Sequence, residues 1–436
     1  MLDHPTSVAD PRLPAAPDDA ASRATPGRTR KSPKRNRKPL RRILIVSHRW
    51  LSIVFGLVLV VECTTGAVLV YEPELLRASS PELYQSTATP TQVGFDGAID
   101  AVRRADANFD TSYVSLKDGV YQLSTSSSDG ETYFVDAGTG TVSGHANVYS
   151  GVVGFVENLH DCALSCEGYA GYQAWPGKPS PLATWAPTEG LTWGGLTLAL
   201  TGLLAIFLAI SGLIIWYPGL KKWRHGFRVR LGKGRYARDV DLHNVIGLIA
   251  VVPLLIWGLT GMNFEVPAVS KLWLATTGGQ STVDQPSTME TVDARAPRIS
   301  IDDAMTAARA TFTGSTVTWA QLPTPTQEYY SFYVLDGRPD LWKYSSNFHG
   351  NRLVGVDAHD AHHVEVFQGR PSTISNAVLS DWAQPALHYG FAVNPWWRIA
   401  WCVLGLTPLL LMLTGLSTWL FRRQVARRRQ AARRSG

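Results

Sequence analysis

Residues 43–71 read ILIVSHRWLSIVFGLVLVVECTTGAVLVY. The run exceeds the ~20 apolar residues that cross a bilayer, and only Arg49 and Glu62 bring formal charge into it. Three more segments read the same way: 191–217, 242–264 and 396–421. Their ends carry ring side chains suited to a membrane interface, such as Trp216 with Tyr217 and Trp396 with Trp397. Buried helices of a soluble protein would not need runs this long and this poor in charge.

The rest of the chain is sorted by charge. Of the 436 residues, 17% are charged and 45% hydrophobic, and the net charge is +6. The segments 1–42, 218–241 and 422–436 together carry +20. The long loops 73–190 and 265–395 together carry −14. Basic flanks mark the cytoplasmic side. Both termini and the loop 218–241 are therefore expected inside, and the two long loops outside, in a multi-pass protein of the cytoplasmic membrane. The basic pI is topogenic, and a nucleic-acid partner is not expected. No cleavable leader is evident, because a long polar region precedes the first apolar run. Residues 1–42 read as a basic cytoplasmic N-terminus, disordered over its Pro- and Ala-rich beginning.

The apolar segments repeat a pattern. His48 precedes Thr65-Gly66 by the same 17 residues that separate His243 from Thr260-Gly261. Ser211-Gly212 precedes Trp216 as Thr414-Gly415 precedes Trp419. The expected fold is an integral membrane α-helical protein of four transmembrane helices, in two helix–external domain–helix repeats. Each external loop opens with an amphipathic helix, at 95–107 and 300–311. Alternating strands follow at 112–116, 120–125 and 133–135, and at 316–321, 329–335, 343–348 and 352–356. The turn DAGTG at 136–140 signals a hairpin. Two extracytoplasmic α+β modules are the expectation.

With His48-Arg49-Trp50-Leu51, the run DLHNVIG at 241–247, LHYG at 387–390, the four Thr/Ser-Gly pairs and VDAGTGTVSG at 135–144, the chain resembles the PepSY-associated transmembrane family over roughly 41–423. That family includes iron-regulated inner-membrane proteins and ferrisiderophore reductases. The resemblance implies PepSY-like external modules and two haems, each held by two histidines.

The residues support a compatible reading. His48 and His243 lie near the cytoplasmic ends of the first and third helices, where facing rings would hold one haem b in an apolar slot. No C-x-x-C-H occurs, so covalent haem is not expected. His160 and His388 precede the second and fourth helices and are repeat equivalents; they would hold a second haem near the outer face. Arg49 and Arg398 are candidate propionate partners. Segment 161–187, between His160 and the second helix, departs from the family's compact pattern and must fold back if that site is to form. The plainer alternative is four interfacial histidines that cap helices.

Other residues leave alternatives open. Cys162 and Cys166 read as a disulfide or a redox pair, whereas Cys63 and Cys402 read as packing residues. Glu62 reads as a proton or quinol site, or as an interior hydrogen-bonding group. It lies fourteen residues past His48, ~21 Å along a helix, out of reach of a haem held there. His359, His362 and His363 form a weak metal candidate or a solvated hairpin end. The favoured function is a haem protein passing electrons outward to a ferric chelate or ferrisiderophore in iron acquisition. No nucleotide-binding motif is visible, so the donor would be a quinol, a cytoplasmic reductase or a free flavin. The competing readings are a non-enzymatic membrane anchor that binds or regulates a peptidase or uptake partner, and a transporter.

Overall fold

The computed structural model describes residues 39–127, 129–217, 223–280, 288–291, 295–337, 344, 348–391 and 393–435. The first half runs α1 (Pro39–Leu69), α2 (Glu72–Ser79), α3 (Phe95–Ala105), β1 (Tyr113–Lys117), β2 (Val120–Ser124), β3 (Glu131–Asp136), β4 (Val142–Asn147), α4 (Gly151–Cys162) and α5 (Trp193–Trp216). The second runs α6 (Arg235–Glu265), α7 (Ala268–Thr277), α8 (Ile301–Thr311), β5 (Thr316–Gln321), β6 (Tyr329–Leu335), β7 (Arg352–Asp357), β8 (Val364–Gln368) and α9 (Ile374–Ala377). A π-helix, Val378–His388, follows directly, and then α10 (Pro395–Gly405) and α11 (Thr407–Ser435).

Among the described residues four helical spans are long and apolar enough to cross a membrane: α1, α5, α6 and the α10–α11 pair. They form a ring in which α1 packs on α5, α5 on α6, α6 on α11 and α11 on α1. Small residues let the backbones touch. A Cβ on Gly202 would stand 2.8 Å from the Gly258 carbonyl, and one on Gly258 would stand 2.7 Å from that of Gly202. Leu59, Ala205, Ala209, Ala250 and Leu254 fill the interior. Val54, Leu57, Leu200, Val252 and Leu413 point outward, as lipid-facing side chains must. The fourth span breaks at Leu406. Pro408 has no N–H to offer the Leu404 carbonyl, and the Thr407 hydroxyl donates to that oxygen instead, at 2.6 Å.

Several expected boundaries move. Residues 39–42 and 235–241 belong to α1 and α6, and 422–435 extend α11 as a helix. Residues 1–38 lie outside the described residues. The expected strand 343–348 falls mostly outside them as well, and its members Tyr344 and Phe348 are not in strands.

The two external modules prove to share one antiparallel sheet, in the order β4-β3-β2-β1-β5-β6-β7-β8. The seam pairs Tyr113 with Gln321, Val114 with Ala320 and Ser115 with Trp319. Its physical reason is edge removal: separate sheets would each leave β1 or β5 unpaired. Helices α3 and α8 cover one face, where Phe95, Val102, Ile301, Ala304, Phe332 and Val356 form the core. The two helices cap each other. Gly94 gives α3 no side-chain cap, so the Asp302 carboxylate of α8 accepts from the backbone N–H groups of Phe95 and Asp96, at 2.8 and 3.3 Å.

The DAGTG turn is held by its first residue. The Asp136 carboxylate accepts from Thr87 N and Oγ1, Gly138 N and Thr139 Oγ1. Burial alone would raise its pKa, but these donors overcome that and bring it to about 2. A depressed carboxyl stabilises the fold above its unfolded value of ~3.9, and that contribution is lost as the pH falls through the folded value. Asp136→Asn is therefore expected to flatten the acid limb of sheet unfolding between about pH 4 and about pH 2. Acid titration followed by near-UV circular dichroism checks it; an unchanged limb would refute the assignment.

Edge strands β4 and β8 have a common feature. Each leads into the helical segment that carries a histidine to the membrane surface: α4 with His160, and α9 with the π-helix that ends on His388.

Candidate histidine sites

Each of the four histidines meets a Thr/Ser-Gly pair on a different helix. His48 Nδ1 lies 2.8 Å from Ser211 Oγ on α5. His243 Nδ1 lies 3.1 Å from Thr414 Oγ1 and from the Leu411 carbonyl on α11. His160 Nδ1 lies 3.1 Å from Thr65 Oγ1 and 3.0 Å from the Glu62 carbonyl on α1. His388 Nδ1 lies 2.8 Å from Thr260 Oγ1 on α6.

These contacts assign three of the tautomers. A carbonyl only accepts, so Nδ1 of His160 and of His243 carries the proton. The Thr260 hydroxyl donates to the Ile256 carbonyl at 2.8 Å, so its oxygen receives Nδ1–H from His388. Ser211 makes only a longer contact of this kind to Leu208, at 3.4 Å, so its 2.8 Å bond with His48 can run in either direction. With Nδ1 protonated, the neutral form of His160, His243 and His388 leaves the lone pair on Nε2, the arrangement in which imidazole binds a metal.

The glycine of each pair makes room for the ring. A Cβ on Gly66 would stand 2.7 Å from His160 Cε1, and one on Gly212 would stand 3.3 Å from His48 Cε1. The corresponding distances are 3.4 Å for Gly415 to His243 and 3.7 Å for Gly261 to His388.

The structure brings the four together as two pairs. On the side of the sheet, the ring centroids of His160 and His388 are 6.2 Å apart and tilted by 45°. Two imidazoles bound through Nε2 to opposite sides of one metal, with bonds of ~2 Å, place their centroids about 6 Å apart. A cavity of about 300 Å³ surrounds this pair, lined by Leu59, Gly66, Leu254, Trp257 and Gly261 among others. Burial, with His160 opposite, lowers the His388 pKa to about 3 and keeps the ring neutral. On the side of the termini, His48 and His243 project from α1 and α6, which face each other across the ring, and stand within electrostatic reach of one another.

Glu62 belongs to the sheet-side pair. Its Oε1 is 3.2 Å from His160 Nδ1, and it lines the cavity with Glu72, Asp161 and Glu265. Asp161 is exposed, and the protein crowded around it raises its carboxyl to about 7.

The candidate arginines have these contacts. Arg49 is exposed and lies over the Trp50 ring, 5.7 Å from its centroid. Arg398 is buried but is not among the residues lining the cavity. Its guanidinium forks onto Glu74 at 2.6 and 2.8 Å and donates to the Val70 carbonyl at 2.6 Å, between the rings of Tyr71 and Tyr344. It ties α10 to the α1–α2 corner.

Cys162 and Cys166 form a disulfide, with Cα atoms 5.6 Å apart. The bridge closes the loop just after His160, where Ala163 and Leu164 adopt left-handed φ values. Segment 161–187 does fold back: the Pro176 and Lys178 carbonyls accept from Gly194 N and Trp193 N at the start of α5. Cys63 and Cys402 are free thiols within the spans.

His359, His362 and His363 lie at the turn between β7 and β8. Among the described residues no three His, Cys, Asp or Glu side chains are grouped to hold a metal ion. His359 is spent on the Ala296 carbonyl and Glu328, His363 is bonded to Asp357, and the His362 backbone N–H donates to Asp360. These bonds close the β7–β8 turn.

The sequence marked the Thr/Ser-Gly pairs only as a repeat. Their partners were hidden because each hydroxyl serves a histidine from another segment. In a comparison with family models, the one described as the PepSY-associated TM region matches residues 46–422. No curated protein matches the chain.

Proposed function

The chain belongs to the PepSY-associated transmembrane family, and from that premise we propose that it is a membrane haem b protein passing electrons outward to a ferric chelate. One observation carries the reading. Four histidines have Nδ1 bonded to a hydroxyl or carbonyl of another helix, and they stand two by two toward opposite ends of the helix bundle.

The donor sets fit haem better than a bare ion. A bare ion would need three or four protein ligands, and the described residues offer no such group. A macrocycle supplies four nitrogens itself and asks the protein for two. His160 and His388 would hold one haem, and His48 and His243 the other. A bound haem supplies one-electron redox chemistry. The chain's own residues hold each ligand ring at Nδ1, exclude water with the apolar wall of Leu59, Leu254 and Trp257, and keep the two centres on opposite membrane faces.

The charge pattern supports an orientation with the termini in the cytoplasm and the sheet outside. The matched element order of the two halves, with Asp96 and Asp302 meeting at their junction, supports descent from a duplicated helix–domain–helix unit. The acceptor would be a ferric chelate taking one electron per iron, and the donor a quinol, a cytoplasmic reductase or a free flavin.

The test is a reduced-minus-oxidised spectrum of the protein purified after haem-replete expression. The expected result is b-type bands with two haems per chain. Absence of a Soret band would sink the reading.

A further inference from the structure

His388 ends a π-helix of 11 residues that contains Pro385. Such helices are rare beyond a single turn and collect at functional sites. This one therefore needs support from outside, and it has it at both ends. At the His388 end the indole N–H groups of Trp397 and Trp401 on α10 donate to the carbonyls of Ala386 and His388, at 2.9 and 3.2 Å. At the other end the support comes from the sheet.

Arg352 begins β7, and its side chain is only 4% exposed. Its guanidinium forks onto the Asp381 carboxylate of the π-helix at 2.8 and 3.2 Å. The neighbouring Asn351 side chain donates to the same carboxylate at 3.2 Å and to the Asp336 carbonyl at 3.0 Å. Asp336 is in turn held by Arg370, at 2.8 and 3.1 Å. A chain of hydrogen bonds and ion pairs thus runs from the ends of β6, β7 and β8 to the π-helix. A planar fork fixes direction as well as distance, which a lysine could not do.

Resting on the haem reading, we propose that Arg352 and Asp381 are a positioning pair: they hold the π-helix so that His388 faces His160, and they couple the external sheet to the sheet-side haem. The fork locks the π-helix to β7, and the two indoles lock it to the bundle. His388 is aimed by both.

The test uses the full-length protein carrying Asp381→Asn, Arg352→Lys or Arg352→Gln. Haem content, the electron paramagnetic resonance signals of the two centres and their midpoint potentials are read together with thermal unfolding. Asp381→Asn is expected to leave the chain folded and the terminal-side centre unchanged. The sheet-side signal is expected to shift, with haem loss from that site about 10- to 100-fold faster, the range for groups that orient metal ligands. Arg352→Gln should match it, and Arg352→Lys should fall between. Folded variants with an unaltered sheet-side centre overturn the proposal. If the arginine variants do not fold, hydrogen exchange over 378–388 in Asp381→Asn reads the clamp directly, and unchanged protection overturns it. A wild-type protein without a Soret band marks failure of the haem reading itself, which is distinct from a haem-loaded wild type that ignores these substitutions.

Discussion

On the haem reading proposed above, His160→Ala and His388→Ala are each expected to lower the haem content from two per chain to one. His48→Ala and His243→Ala should do the same at the other centre. Each ring would supply one of only two protein nitrogens at its site, and its partner lies on a different segment, so neither could be replaced by a neighbour. Groups that merely orient a metal ligand change affinity 10- to 100-fold, so loss of a ligand should cost ~100-fold or more. If the chain reduces a ferric chelate as proposed, that activity should fall with it in all four variants, because an electron crossing the bilayer would need both centres. Haem content by pyridine haemochrome and single-turnover reduction check this. His145→Ala is the control: its ring pairs with Glu131 on the sheet and should leave both centres intact. Haem content unchanged in any of the four variants would remove that histidine from the ligand set.

Gly66→Ala is expected to damage the sheet-side centre almost as much as removing His160. The added Cβ would lie 2.7 Å from His160 Cε1, closer than side chains tolerate, and the ring must move while its Nδ1 is tied to Thr65 and Glu62 on the same helix. Overpacking of this kind costs about 1–3 kcal/mol, and here the strain falls on a ligand. Gly261→Ala, at the repeat-equivalent position, meets His388 at 3.7 Å and should keep its haem. Spectra of the two variants side by side give the answer. Equal haem content would show that the ring clearance at Gly66 does not matter.

The contrast between these two glycines shows what pattern can and cannot reveal. In the sequence, Thr65-Gly66 and Thr260-Gly261 look equivalent. Only the packed structure shows that one ring presses on its glycine and the other does not. The external domain gives the same lesson. The amphipathic helices and most strands were legible from period and turn residues, but β8 was not. Its residues VEVFQ follow the histidine-rich turn and were not read as a strand. The single sheet was hidden as well, since the β1–β5 seam joins residues about two hundred positions apart. Arg352 and Asp381 carried no signal at all, as an arginine and an aspartate twenty-nine residues apart form no motif.

Hydropathy is a local property, and so the sequence by itself determined the four membrane spans, the charge asymmetry of the loops and the identity of the four candidate histidines. Tertiary structure alone decided which hydroxyl meets each histidine, how closely each ring presses on its glycine, and how the sheet reaches His388. Those are relations between segments far apart in the chain, created when small residues let helices close to contact and unpaired strand edges find each other. Composition and spacing carry no record of them.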